Sequence, residues 1–177
     1  YIINLETGER RQIKEKSPSY MRFSPKGKYT YWYQDQDSSW YTRSTADGKE
    51  YRLTTPQTFA AWDEDNDVPD YPSPYGIAGW TDDDQSILIK DRYDIWKFDP
   101  IAASSPVNLT VNGRKEQITY SLIQLDREKR AYNTSEAQYL TGFNERTKGS
   151  GYYTTRLNKP VAPKALLAGN FKLAALA

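Results

Sequence analysis

The chain has 177 residues, no cysteine and no histidine, and 24 basic residues against 23 acidic ones. Without Cys and His it carries no disulfide framework, no thiol nucleophile and no Ser-His-Asp or Cys-His machinery of its own, and the near-balance of charge argues against the clustered basic footprint that nucleic acid needs. Aromatic residues reach 14%, 15 of them Tyr, which sets the chain apart from aromatic-poor disordered sequences and suits half-buried pleated strands.

No stretch approaches the roughly 20 apolar residues of a membrane helix, so no membrane span is expected. The chain opens inside an apparent strand, Tyr1-Ile2-Ile3-Asn4-Leu5, and reads as a piece of a longer protein. Thr7-Gly8 then marks a hairpin into a strand over Arg11 to Ile13, because Gly tolerates positive φ.

The next unit is the most regular. Tyr20 to Phe23 reads as a short strand and Ser24-Pro25-Lys26-Gly27 as a turn, with Pro presetting φ. Tyr29 to Tyr33 is a strand of aromatic and β-branched residues, Gln34 to Ser38 a polar loop, Trp40 to Arg43 a third strand, Asp47-Gly48 a tight turn and Glu50 to Leu53 a fourth strand.

A further unit opens at Thr58 to Trp62, is interrupted by an Asp- and Pro-rich insertion from Asp63 to Gly79, and resumes at Gly79-Trp80. Asp82 to Gln85 reads as a turn, Ile87 to Lys90 as a strand, Asp91-Arg92 as a turn, Ile95 to Phe98 as a strand, and the path ends at Val107 to Thr110. Beyond it, Ile118, Tyr120 and Leu122 alternate with polar residues as a half-buried strand does. Leu125 to Arg130 takes the place of the earlier turn, and Tyr139 to Phe143 and Gly151 to Thr155 flank a polar hairpin. Ala162 to Leu176 is the one stretch that leans toward helix.

Spacing ties these units together. Gly8 and Gly48 lie 40 residues apart, as do Ile13 and Leu53, whereas Trp40 and Trp96 lie 56 apart, as do Leu53-Thr54 and Leu109-Thr110. The surplus falls on the insertion. A strand-rich unit of about 40 residues is the signature of β-propeller blades. The expected fold is all-β: a partial propeller of about three four-stranded antiparallel blades plus part of another. Residues 1–14 form the end of one blade, 17–55 a blade, 56–111 a blade with the insertion 63–79, 114–171 a blade, and 172–177 a tail. A cut array leaves blade faces uncovered, so self-association through them is expected.

Three patterns carry a family likeness: Asp67-Val68-Pro69-Asp70-Tyr71-Pro72 leading into Tyr75-Gly76-Ile77-Ala78-Gly79-Trp80; Asp91-Arg92-Tyr93-Asp94-Ile95-Trp96; and Asn108-Leu109-Thr110 with Asn112-Gly113-Arg114. Together they resemble the propeller region of bacterial serine peptidases of the prolyl oligopeptidase / dipeptidyl peptidase IV family. The resemblance implies a non-catalytic segment that shapes the access of peptide substrates to a C-terminal α/β-hydrolase domain, in a periplasmic or secreted enzyme that needs no cofactor. No Gly-x-Ser-x-Gly elbow occurs in the chain, so no triad residue transfers to it. A non-enzymatic propeller, or an aromatic-rich module that binds protein or glycan ligands, is the alternative.

The candidate site residues are Asp63, Glu64, Asp65, Asp67, Asp70, Tyr71 and Tyr75, a loop facing either the substrate entrance or the neighbouring domain. A solvated loop joining two strands accounts for the same residues. Asp63 to Asp67 mimics the start of a calcium loop, but Val68 and Pro74 stand where that loop needs Gly and Glu, so no metal is expected. Asp82-Asp83-Asp84 reads as a self-bonding turn, Asp91 to Asp94 as an internal ion pair, and Tyr29 to Tyr33 with Trp40 as packing between blades.

Overall fold

A computed structural model gives the fold and describes residues 1–12, 20–126, 128–171 and 173. Ile13, Arg127 and most of the 172–177 tail therefore lie outside the described residues. The described residues are all-β, with one two-stranded hairpin and three four-stranded antiparallel sheets. β1 (Ile2–Ile3) pairs with β2 (Arg10–Arg11). The first sheet runs in chain order through β3 (Arg22–Phe23), β4 (Tyr29–Gln34), β5 (Ser39–Ser44) and β6 (Glu50–Arg52). The second comprises β7 (Ile77–Trp80), β8 (Ile87–Lys90), β9 (Ile95–Phe98) and β10 (Val107–Asn108). The third comprises β11 (Ile118–Leu122), β12 (Gln138–Asn144), β13 (Ser150–Thr155) and β14 (Lys164–Gly169).

The sheets lie face to face. In β8 the consecutive residues Ile87, Leu88 and Ile89 are all 0% exposed. Successive strand side chains point to opposite faces, so this sheet is covered on both sides. Ile87 and Ile89, with cross-strand Phe98 and Trp96, join an apolar layer with Tyr31, Tyr33 and Trp40 of the first sheet. Leu88 and Ile95 face the other way, into a layer with Tyr120, Leu140 and Tyr153 of the third. Tyr29 stacks on Trp80 at 5.9 Å and Tyr31 tilts against it at 5.5 Å, so aromatic rings do much of the filling between the first two sheets.

Polar ties reinforce each layer. Asp84, 2% exposed, sits at the turn after β7 and reaches across to the first sheet. It accepts from Ser24 Oγ at 2.5 Å and from the amides of Lys26 and Lys28 at 3.1 and 3.2 Å. Tyr132 plays the matching part between the second and third sheets: its amide donates to Trp80 O and its carbonyl accepts from Asp82 N. Its ring lies so close that a Cβ on Gly79, at φ +145°, would stand 2.7 Å from it, and only Gly fits there.

The repeated Leu-Thr has a shared role. Leu53 N donates to Trp40 O while Thr54 Oγ1 accepts from Trp40 N at 2.9 Å; Leu109 N donates to Ile95 O while Thr110 Oγ1 accepts from Ile95 N at 3.1 Å. The structural counterpart of Trp40 is thus Ile95 and not Trp96, and both residues face the sheet that follows their own.

Where the second unit opens, at Thr58 to Trp62, the chain turns at Thr55 to Phe59 and Trp62 makes one isolated bridge to Pro74. Two local expectations need correction. The insertion closes earlier than Gly79, because β7 begins at Ile77. The stretch after Ala162 is strand over Lys164–Gly169, since pairing with β13 outweighs the mild helix preference of Ala and Leu.

Lys90 is half-buried between the second and third sheets, and its Nζ donates to Ser121 Oγ at 3.2 Å. Burial pushes its ammonium below the ordinary value of 10.5. The folded chain therefore holds this proton less tightly than the unfolded chain, and the contribution of Lys90 to stability rises as pH climbs through its folded value toward 10.5. Buried tyrosines such as Tyr31 and Tyr132, raised by desolvation, act in the opposite sense over the neighbouring alkaline range. Denaturant titrations of the protein and Lys90→Met, compared from neutral to alkaline pH, separate the two effects. Lys90→Met should be the more stable at neutral pH, and its advantage should shrink as pH rises.

Candidate functional site

Antiparallel meanders place alternate connections at opposite ends of the sheets. One end gathers the connection from β6 to β7, which holds the insertion, the β8–β9 turn, the β10–β11 connection and the β12–β13 turn. The insertion is pinched at its base by Asp63 N to Ser73 O at 2.8 Å and Tyr75 N to Ala61 O at 2.9 Å. Tyr75 sets the loop further, because its hydroxyl accepts from Glu64 N at 2.8 Å; burial pushes that hydroxyl above its usual value. Asp63 Oδ1 accepts from Asp65 N at 3.1 Å.

Beneath the loop, Asp91 and Asp94 are 6% and 2% exposed. Asp91 accepts from the amides of Tyr93 and Asp94 and from Trp96 Nε1. Burial pushes its carboxyl upward, and the two amides oppose that rise. Asp94 bonds Thr110 Oγ1 at 2.6 Å, Gly113 N at 2.9 Å and Arg114 N at 3.1 Å. It thereby holds the short helix α1 (Gly113–Glu116), which the sequence pattern had not indicated. A Cβ on Gly113 would meet Asp94 Oδ1 at 2.7 Å, so Gly permits this close approach.

Two arginines join this base to the insertion. Arg92 pairs with Asp65 at 2.8 Å and with Glu145, from the β12–β13 turn, at 3.2 Å. Bonds from Asp65 first and Glu145 second raise the Arg92 guanidinium above its usual value. Arg114 pairs with Glu64 at 3.0 Å and approaches Asp91 at 3.7 Å. Both guanidinium groups lie over the Tyr93 ring, at 5.3 and 5.2 Å from its centroid, and Tyr93 OH donates to Glu145 Oε2 at 2.7 Å.

The seven expected residues divide accordingly. Glu64 and Asp65 enter the arginine network, and Asp63 and Tyr75 shape the loop. Asp67, Asp70 and Tyr71 are exposed at its tip, where Asn66 Nδ2 donates to the carbonyls of Val68 and Asp70 at 3.2 Å each. The internal ion pair expected within Asp91 to Asp94 is corrected, because both carboxylates turn to backbone amides and Arg92 reaches outward to Asp65 and Glu145. Arg92 and Arg114 belong to two of the quoted motifs, yet nothing in their spacing marks their partners. Glu145 sits in an ordinary polar hairpin and carried no sequence signal.

No protein-family model matches the chain, and no curated protein matches it.

The network is a latch. An exposed ion pair alone contributes about 0–1 kcal/mol, but here two arginines hold four carboxylates from three segments in one arrangement. Salt screens such contacts, with a Debye length of about 3 Å at 1 M. Limited proteolysis of Arg92→Ala/Arg114→Ala at low salt should cut within residues 63–75 several-fold faster than in the unaltered protein, and high salt should narrow the gap. Equal cleavage of both at low salt would contradict the latch.

Proposed function

We propose that this chain is the non-catalytic β-propeller segment of a prolyl oligopeptidase-family serine peptidase, with three four-stranded blades and the end of another. In this reading it shapes the path of peptide substrates to an α/β-hydrolase domain that lies outside these 177 residues. The observation that carries the reading is the stack of three meander sheets, each laid face to face on the next, combined with the convergence of the insertion and the second and third family-like motifs at one rim. Asp65 of the insertion meets Arg92 of the second motif, and Asp94 of that motif holds Gly113 and Arg114 of the third.

The outer face of the third sheet supports an array that continues. Trp40 and Ile95 mark the face that each earlier sheet lays on its follower. On the third sheet the face opposite Leu140 carries Tyr139 and Phe143, 39% and 40% exposed, and Leu167 across from Tyr152 is 53% exposed. A following blade would bury these residues.

In the proposed enzyme the insertion is a fixed part of the rim, held by Arg92 and Arg114, and acts by excluding or orienting substrate. The chemistry belongs to the hydrolase domain. The test is labelling of the complete gene product with a fluorophosphonate probe, alongside hydrolysis of short peptide anilides. The expected outcome is one labelled Ser outside this chain, with peptide hydrolysis that responds to Arg92→Ala/Arg114→Ala in kcat/KM while the labelled Ser is unchanged. A complete product that neither labels nor cleaves peptides would refute the proposal.

A further inference from the structure

The hairpin and each of the three larger sheets end in marginal strands, and a margin with free backbone groups is a template for another chain unless something guards it. Most margins here are guarded. β1, β2, β3 and β10 run for two residues each, and β6 is Glu50-Tyr51-Arg52, charged at both ends. Tyr132 covers β7, its amide donating to Trp80 O, and Tyr120 N of β11 donates to Tyr93 O at the β8–β9 turn.

β14 differs. It has six residues, Lys164-Ala165-Leu166-Leu167-Ala168-Gly169, and its one charge stands at the first position. The first five are exposed, Leu166 and Leu167 by 55% and 53%. Its ladder to β13 passes from Leu167 opposite Tyr152 to Ala165 opposite Tyr153, so Leu166 is the extra residue of a bulge. Beyond that ladder, Lys164 to Ala168 make no hydrogen bond among the described residues.

This edge is its own counterpart. Ala165-Leu166-Leu167-Ala168 reads the same in both directions. Two copies laid antiparallel about a two-fold axis between Leu166 and Leu167 therefore set Leu166 against Leu167, and Ala165 against Ala168, on both sides of the axis. Lys164 falls against Gly169, so no like charges meet. Two steps beyond the strand, the same register carries Phe171 toward Ala162 and Val161; Phe171 and Val161 are 39% and 38% exposed. Each exposed apolar side chain thus meets an apolar counterpart in a second copy, and the two-fold closes the contact.

We propose that β14 is a self-pairing edge: two copies of this chain join through their Lys164–Gly169 strands, merging their third sheets into one antiparallel sheet. The contact uses the margin of the sheet and leaves the face that carries Tyr139 and Phe143 open to a following blade, so it does not rest on the peptidase reading. Six strand residues a side are few beside the roughly 20–30 of a standard interface, so the dimer is reversible and forms at high concentration.

Analytical ultracentrifugation of the 177-residue chain at low salt tests this. The unaltered chain should pass from monomer to dimer as concentration rises, with nothing larger. Leu166→Lys/Leu167→Lys and Leu166→Glu/Leu167→Glu each set like charges directly opposite one another, which is destabilising, and should weaken dimerisation about tenfold or more. An equal mixture of the two variants should dimerise again, which misfolded variants would not do. Tyr139→Ser/Phe143→Ser, on the sheet face, should dimerise as the unaltered chain does. The proposal is overturned by a chain that stays monomeric at millimolar concentration, by association that the Leu166/Leu167 variants leave unchanged or the face variant abolishes, or by a mixture that fails to associate.

Discussion

Ile87, Leu88 and Ile89 follow one another along a single strand and none touches solvent, so the sheet that holds them requires a neighbour on each face. This requirement organises the molecule. Exposing one face of the second sheet would uncover several large apolar side chains, each worth about 1.5–3 kcal/mol when buried. Tyr31, Tyr33 and Trp40 meet the requirement on one side, and Tyr120, Leu140 and Tyr153 on the other. Rings suit this work because they span the gap between sheets while their edges and faces interlock, as where Tyr29 and Tyr31 of the first sheet meet Trp80 of the second at 5.9 and 5.5 Å.

Burial alone sets no register between sheets, because the hydrophobic effect is non-directional. The buried carboxylates supply direction. Asp84 fixes the turn of the first sheet against the second, and Asp94 fixes α1 beneath the insertion. With the sheets so aligned, their connections gather at common ends. One end then holds Arg92, Arg114, Glu145 and the insertion close enough to pair, although Arg92 and Glu145 are 53 residues apart in sequence. The partly exposed charges hold the rim, while the buried ones maintain the frame.

Much of the strand pattern was legible. Pro25 and Gly27, then Asp47 and Gly48, punctuate the first sheet at its turns, and Gly27 and Gly48 take φ of +73° and +76° as hairpin chemistry requires. The continuous apolar run at Ile87 to Ile89 already distinguishes a strand covered on both faces from a half-exposed one. β14 was obscured because its Ala and Leu residues prefer helix, and only the ladder offered by β13 overrides them. The candidate loop was legible as an acidic insertion. Its partners were not, because Arg92 and Arg114 reach it through space and no short spacing records that contact. The Asp91 and Asp94 carboxylates misled for a related reason: an adjacent Arg suggests an ion pair, but burial favours the nearest backbone amides, which are fixed in place and need no second side chain to be ordered.

Proton–proton nuclear Overhauser contacts from the Trp80 indole are the most direct measurement of face-to-face stacking, since Trp80 belongs to the second sheet and its expected neighbours to the first. The account predicts strong cross-peaks to the ring protons of both Tyr29 and Tyr31, whose ring centroids lie 5.9 and 5.5 Å away. Contacts from Trp80 confined to its own sheet, with no cross-peak to either tyrosine, would contradict it.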